Sequence, residues 1–264
     1  TNTALENLYL SSNNITTINL EVNTALRKLE VGDNELTTID LSRNTAIWNL
    51  SLYMNQFMDI DLSTNTAVEI LDISLNPFTS INLSKNTALT RLTLLKNELS
   101  GIDLSKNTAL TGLSMYGKEL TTIDLSKNIA LEGLRLTGYE LTTINLSKNT
   151  ALVTLNLGNN AFTEIDLSAN TALKGVFFND NSFETIDLSN NTELTEIELN
   201  RNALNSIDLS ANKALTIMSL NENKLITIDL ESNTALQELY LTNNLLIQID
   251  LSENTALTTL DLGN

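Results

Sequence analysis

A unit of 21 residues recurs without interruption from Thr3 to Asn254, twelve times over, and a partial thirteenth continues to Asn264. Three copies read TALRKLEVGDNELTTIDLSRN at 24–44, TALVTLNLGNNAFTEIDLSAN at 150–170 and TALQELYLTNNLLIQIDLSEN at 234–254. Each unit is too short to bury its own apolar side. A chain built this way must stack one copy on the next.

Numbering the unit from its first threonine, large apolar residues occupy slots three, six, eight, thirteen, sixteen and eighteen; in the second unit these are Leu26, Leu29, Val31, Leu36, Ile39 and Leu41. The apolar-x-apolar spacing of slots six to eight has period two, which predicts a short strand with two side chains inward and one outward. Ile-Asp-Leu at slots sixteen to eighteen repeats the pattern and predicts a second extended edge. No stretch between them is long enough for an ordinary α-helix. Stacked copies then place parallel strands about 4.8 Å apart. The single proline, Pro77, sits beside a turn, where it removes no ladder hydrogen bond.

Asparagine ends every complete unit, from Asn23 and Asn44 through Asn233 to Asn254, with Asn2 extending the series backwards. An amide that donates and accepts can satisfy the backbone where each coil turns and bond its copy in the next coil. A row identical in every coil is what a structural ladder needs, so it is read as buried scaffold.

These features resemble the leucine-rich repeat family. Its LxxLxLxxNxL pattern stands at 26–36 as LRKLEVGDNEL, and the NTAL and LTTIDLSxN phrasing is similar to the short-repeat class of bacterial surface and secreted proteins. The resemblance covers essentially the whole chain. It implies a leucine-rich repeat solenoid over 1–264: mainly β, a right-handed coil with a parallel sheet on the variable face and a second short extended edge opposite, and little or no α-helix. It also implies a non-enzymatic recognition or adhesion scaffold, part of a longer protein, at the cell surface or outside the cell. Many relatives carry a cysteine in the first strand or a cysteine-rich cap; this chain has neither.

Composition narrows the chemistry. Cysteine and histidine are both absent, which removes thiol and Ser-His-Asp catalysis, disulfides and the usual zinc ligand sets. No cofactor or metal site is expected. A net charge of −17 repels nucleic acid and anionic membrane surfaces. No apolar run is long enough to insert in a membrane, and TNTALENLYL at the start is not a signal peptide.

On the strand, outward slots five, seven and nine vary while the framework repeats. Slot seven alone runs through Tyr9, Glu30, Ser51, Asp72, Thr93, Ser114, Arg135, Asn156, Phe177, Glu198, Ser219, Tyr240 and Asp261. Such variation on a fixed frame marks a readout surface. Tyr9, Tyr53, Tyr116, Phe177 and Tyr240 are aromatic anchors on it, with Trp48 at a neighbouring turn. The best single patch is Tyr116 with Arg91, Leu95 and Arg135. The candidate ligand contacts are therefore Tyr53, Arg91, Leu95, Tyr116, Lys118, Arg135, Tyr139 and Phe177, for a protein or glycan partner.

Lys118 and Tyr139 enter because slot eleven is asparagine in the other ten complete units, and both replacements follow glycine, Gly117 and Gly138. Glycine allows a positive φ, so the two turns are expected to be remodelled together, with both side chains toward solvent and the amide row broken. This is either a mid-array epitope or paired drift in neighbouring coils. On the opposite edge, slot seventeen stacks Asp40, Asp61, Asp103 and further aspartates, interrupted by Asn19, Asn82 and Asn145. Like charges at this spacing repel. One carboxylate per coil is a weak calcium site.

Two other classes compete with recognition. Ends that stop within the repeat could join head to tail into a fibre. Paired carboxylates such as Glu196 and Glu198 could act on a sugar, but 32 acidic residues generate such pairs by chance.

Overall fold

The computed structural model describes residues 2–263. Contacts divide the chain into two units, one ending at Leu131 and one beginning at Glu132. Each is a stack of coils. In the first, β1 (Asn7–Tyr9), β2 (Lys28–Glu30), β3 (Asn49–Ser51), β4 (Ile70–Asp72), β5 (Arg91–Leu95) and β6 (Gly112–Tyr116) pair in parallel in chain order. In the second, β7 (Gly133–Thr137), β8 (Thr154–Asn156), β9 (Gly175–Phe177), β10 (Glu196–Glu198), β11 (Ile217–Ser219), β12 (Glu238–Tyr240) and β13 (Thr259–Asp261) do the same.

The register steps by one repeat, so Leu29 pairs with Leu50, Leu50 with Leu71 and Leu71 with Leu92. Slots six and eight point inward, as Leu29 and Val31 do, both fully buried. Slot thirteen closes the core from the other side. There Phe57 stacks on Phe78 at 6.5 Å between ring centroids, and Phe162 on Phe183 at 6.4 Å.

Slots sixteen to eighteen keep the alternating burial, with Ile39 half-buried, Asp40 exposed and Leu41 buried, but they form no hydrogen-bonded strand. The aspartate explains why. Its Oδ1 accepts the amide two residues on, 2.9 Å for Ser42 to Asp40 and for Ser63 to Asp61, which turns the chain at that point. Asn82 and Asn145 make the same bond at 3.0 Å, so an amide replaces the carboxylate there without loss.

The ladder asparagines are buried and satisfy the backbone where the coil turns, both as expected, but the link to the neighbouring copy is to its backbone. Asn44 Nδ2 donates to the carbonyls of Leu20 at 3.1 Å and Asn23 at 2.8 Å, both in the preceding coil, and Asn65 does the same with Leu41 and Asn44. The ladder runs from side chain to backbone, not from amide to amide. Both Nδ2 hydrogens are consumed by carbonyls, leaving none for a neighbouring Oδ1. Accordingly Oδ1 of Asn44, Asn65, Asn86 and Asn107 is buried without a hydrogen-bond partner.

Candidate recognition face

At the end of each strand the chain must turn sharply, and slot ten does so with a left-handed backbone: Ser12 at φ 60°, Asp33 at 56°, Met54 at 53°, Leu75 at 56° and Lys96 at 55° in the first unit. The slot-eleven asparagine that follows staples the turn. Asn34 Nδ2 reaches the carbonyls of Leu10, Val31 and Gly32 at 2.9 to 3.2 Å, while its Oδ1 accepts the Ile15 amide at 3.0 Å. One side chain thereby fixes two coils.

This row fails in the coils that lack the asparagine, and also one coil earlier. Asn97 keeps one long bond, 3.3 Å to the carbonyl of Ile73, and its Oδ1 is buried without a partner. Around it the strands lengthen: β5, β6 and β7 run five residues where the others run three. The strands are therefore remodelled here, but not through both glycines, since a positive φ is found at Gly138 and not at Gly117. Lys118 is exposed as anticipated. Tyr139 is not: it is only 4% exposed, and burial pushes its phenol pKa far above the ordinary value. The expectation that it turns to solvent is corrected. Gly138 takes φ 78° and Glu140 φ 55°, so the turn carries two left-handed residues and tucks the ring inward. The row resumes at Asn160, whose Oδ1 accepts the amides of Leu141 at 3.0 Å and Tyr139 at 3.3 Å.

Of the other candidates, Arg91, Tyr116 and Arg135 are exposed, and Tyr53, Leu95 and Phe177 are half-buried. Leu95 and Tyr116 are register partners, with Arg91 at the other end of the strand that carries Leu95. All three lie in the first unit, with Leu95 and Tyr116 side by side. Arg135 and Phe177 lie in the second unit, and Tyr53 lies two coils before Leu95. Tyr53 rests on bare backbone: a Cβ at Gly32 would come within 2.1 Å of its ring.

The second unit holds a feature that the sequence reading passed over. Slot nine is asparagine in three successive coils, and these side chains form an outer ladder. Asn179 Oδ1 accepts the Asn200 amide at 2.9 Å, Asn200 Oδ1 accepts that of Asn221 at 2.8 Å, and Asn221 Oδ1 accepts that of Thr242 at 2.8 Å. Asn179 Nδ2 also donates to Glu198 at 2.6 Å. The signal was available as a column of identical residues 21 apart. Beside it, Glu196 has its pKa raised by burial and by Glu198 and Glu238, and the Tyr240 hydroxyl donates to Glu238 at 2.8 Å.

The turn edge opposite behaves otherwise. Asp40, Asp61, Asp166 and Asp187 have their carboxyl pKa lowered, first by the hydroxyl and then by the amide of the serine two residues on; for Asp103, Asp124, Asp208 and Asp250 the amide leads. Neighbouring aspartates push Asp124 and Asp187 upward, but less strongly. The hydrogen bond outweighs the repulsion. Among the described residues no group of three or more acidic side chains is arranged to hold a metal ion, and no helix is long and apolar enough to cross a membrane.

A parallel stack of 21-residue coils, stapled by asparagine and varied on its outward strand slots, is the leucine-rich repeat solenoid in its short-repeat form. Solved structures with this architecture include the functional domain of InlJ from Listeria monocytogenes, at 30% identity and a TM-score of 0.87. That match takes in 98% of this chain, which spans 62% of the InlJ domain. The internalin inlF of the same organism matches at 24% identity and a TM-score of 0.84, over 99% of this chain and 82% of its own. Toll, in its complex with Spatzle from Drosophila, matches at 21% and 0.78, over 95% and 40%. The cysteine ladder described for InlJ has no counterpart here, since the chain has no cysteine. No protein-family model and no curated protein matches the sequence.

Proposed function

We propose that the protein is a non-enzymatic recognition module, of the adhesion or receptor kind, that binds a macromolecular partner through the variable strand face at the cell surface or outside the cell. The observation that carries this reading is the contrast between the two sides of each coil. The turn edge repeats one hydrogen bond from coil to coil, as in Asp40, Asp61, Asp103 and Asp124. On the strand face slot seven changes residue at every step, and Tyr9, Arg91, Tyr116 and Arg135 stand in solvent. Selection for packing alone has no use for that variation.

Toll engages Spatzle, a protein, on the same architecture, which supports a protein ligand; a glycan is the other chemistry such a face accepts. An array of proteins and glycans probed with the whole chain is the test. A hit lost on Tyr116→Ala or Arg135→Ala and kept on Asp124→Asn supports the reading. A hit lost on Asp124→Asn alone overturns it, because that residue belongs to the turn edge.

A further inference from the structure

Building on the reading that the strand face binds a partner, we propose that its site in the first unit is an apolar ridge, Tyr53, Met54, Leu75, Leu95 and Tyr116, and that the occupant is a protein segment presenting large apolar side chains flanked by carboxylates. The starting point is slot ten. Everywhere else that this slot has a left-handed backbone it holds a polar residue or glycine, such as Ser12, Asp33, Lys96, Asn159 and Asp180. In two adjacent coils it holds Met54 and Leu75, which are 50% and 41% exposed.

Nothing in the fold asks for these side chains. A left-handed backbone is best tolerated by glycine, asparagine and aspartate, and exposure forfeits the gain of burying an apolar group. A residue that is poor for local conformation and poor for solvation points to selection by something outside the chain. Their placement makes them one surface. The Met54 amide donates to the carbonyl of Ser74 at 2.8 Å and the Leu75 amide to that of Leu95 at 2.7 Å, so successive turns sit one strand spacing apart. Ser74, buried between them, accepts the Leu95 amide on its Oγ at 3.1 Å. Leu95 and its register partner Tyr116 carry the ridge onward.

Charge selects among partners. Arg91 and Lys96 stand exposed on β5 and just beyond it, and among the described residues neither joins an ion pair. Asp72, on the neighbouring strand, is engaged through Oδ1 with the Ser74 amide at 3.0 Å. In a chain of net charge −17, Lys96 beside the apolar ridge and Arg91 at the far end of the same strand match carboxylates flanking the incoming segment. Aliphatic Leu and Met side chains suit the apolar face of a peptide better than the hydroxylated surface of a sugar, which favours protein over glycan.

A random peptide library displayed on phage, panned against the whole chain, supplies the probe. Enriched peptides should combine Leu, Phe, Trp or Met with Asp or Glu. By fluorescence anisotropy their affinity should fall about tenfold or more for Met54→Ser with Leu75→Asn, and about threefold for Arg91→Ala with Lys96→Ala, the latter shrinking as salt rises. The Met54→Ser, Leu75→Asn protein should melt no lower than the parent, since both replacements suit a left-handed, exposed position. Peptides that bind this variant normally but are lost on Glu198→Gln with Tyr240→Ala would sink the ridge and leave the strand-face reading standing. Peptides indifferent to both sets, or no enrichment over the bare support, would remove both. Basic peptides, or a self-associated parent that the ridge variant renders monomeric, would overturn the assigned partner.

Discussion

Asn65 Nδ2 donates to the carbonyl oxygen of Asn44 at 3.0 Å, one full repeat back along the chain. The same side chain reaches Leu41 at 3.1 Å, so one amide ties two carbonyls of another coil.

Asn65→Ala removes both of these bonds, while the Leu41 and Asn44 carbonyls keep the amides of Asn44 at 2.9 Å and Ile47 at 3.3 Å. At about 0.5–1.5 kcal/mol net for each lost bond, a loss of roughly 1–3 kcal/mol in urea denaturation is expected. Asn97→Ala removes a single bond of 3.3 Å and should lose about 1 kcal/mol or less. Equal losses at the two sites would contradict the account of the broken row.

The two replaced turns should respond in opposite ways to asparagine. Lys118→Asn alters an exposed side chain and offers an amide where the Leu99 turn lacks one, so stability should hold or rise. Tyr139→Asn empties buried space and should cost about 2–4 kcal/mol, as truncation of buried large side chains does. Thermal melts of the two single variants decide it.

The aspartate row sets the response to acid. Folded-state pKa values of Asp40, Asp61, Asp103, Asp124, Asp166, Asp187, Asp208 and Asp250 lie below the ordinary 3.8. Groups depressed by folding contribute their stability above the unfolded pKa and lose it as pH falls through that value to the folded one. The melting temperature should thus be flat above about pH 5 and fall below about pH 4. Replacing Asp103, Asp124 and Asp187 by asparagine should leave it nearly unchanged at pH 7 and reduce the acid loss, because Asn82 and Asn145 already make the turn.

Gly32→Ala places a methyl group where the Tyr53 ring lies. The ring is half-buried at the surface and can swing aside, so the stability change should be about 1 kcal/mol or less. The near-ultraviolet circular dichroism of tyrosine should change more than the melting temperature.

Much of this architecture could be read from residues alone, because each coil faces the same constraints as its neighbours. Leu26, Leu29, Val31, Leu36 and Leu41 were assigned inward by spacing and are at most 1% exposed. Ile39 was assigned inward too and is half-buried, since its edge is held by an aspartate turn and not by a ladder. The burial of Tyr139 is not legible from the missing asparagine and the preceding glycine, because it depends on the paired left-handed residues Gly138 and Glu140, which redirect the ring. The ridge is not legible in the sequence, where Met54 and Leu75 are ordinary apolar side chains beside a turn. Only the backbone angle shows that they stand where apolar residues do not belong.

The slot-eleven and slot-twenty-one staples reach from one coil to the coil before it. A segment of gene encoding one whole period could be gained or lost while every remaining staple still found its partner. The outward residues would then be reshuffled by a single row, giving such a protein a means of changing what it recognises by copy number, without inventing a new fold.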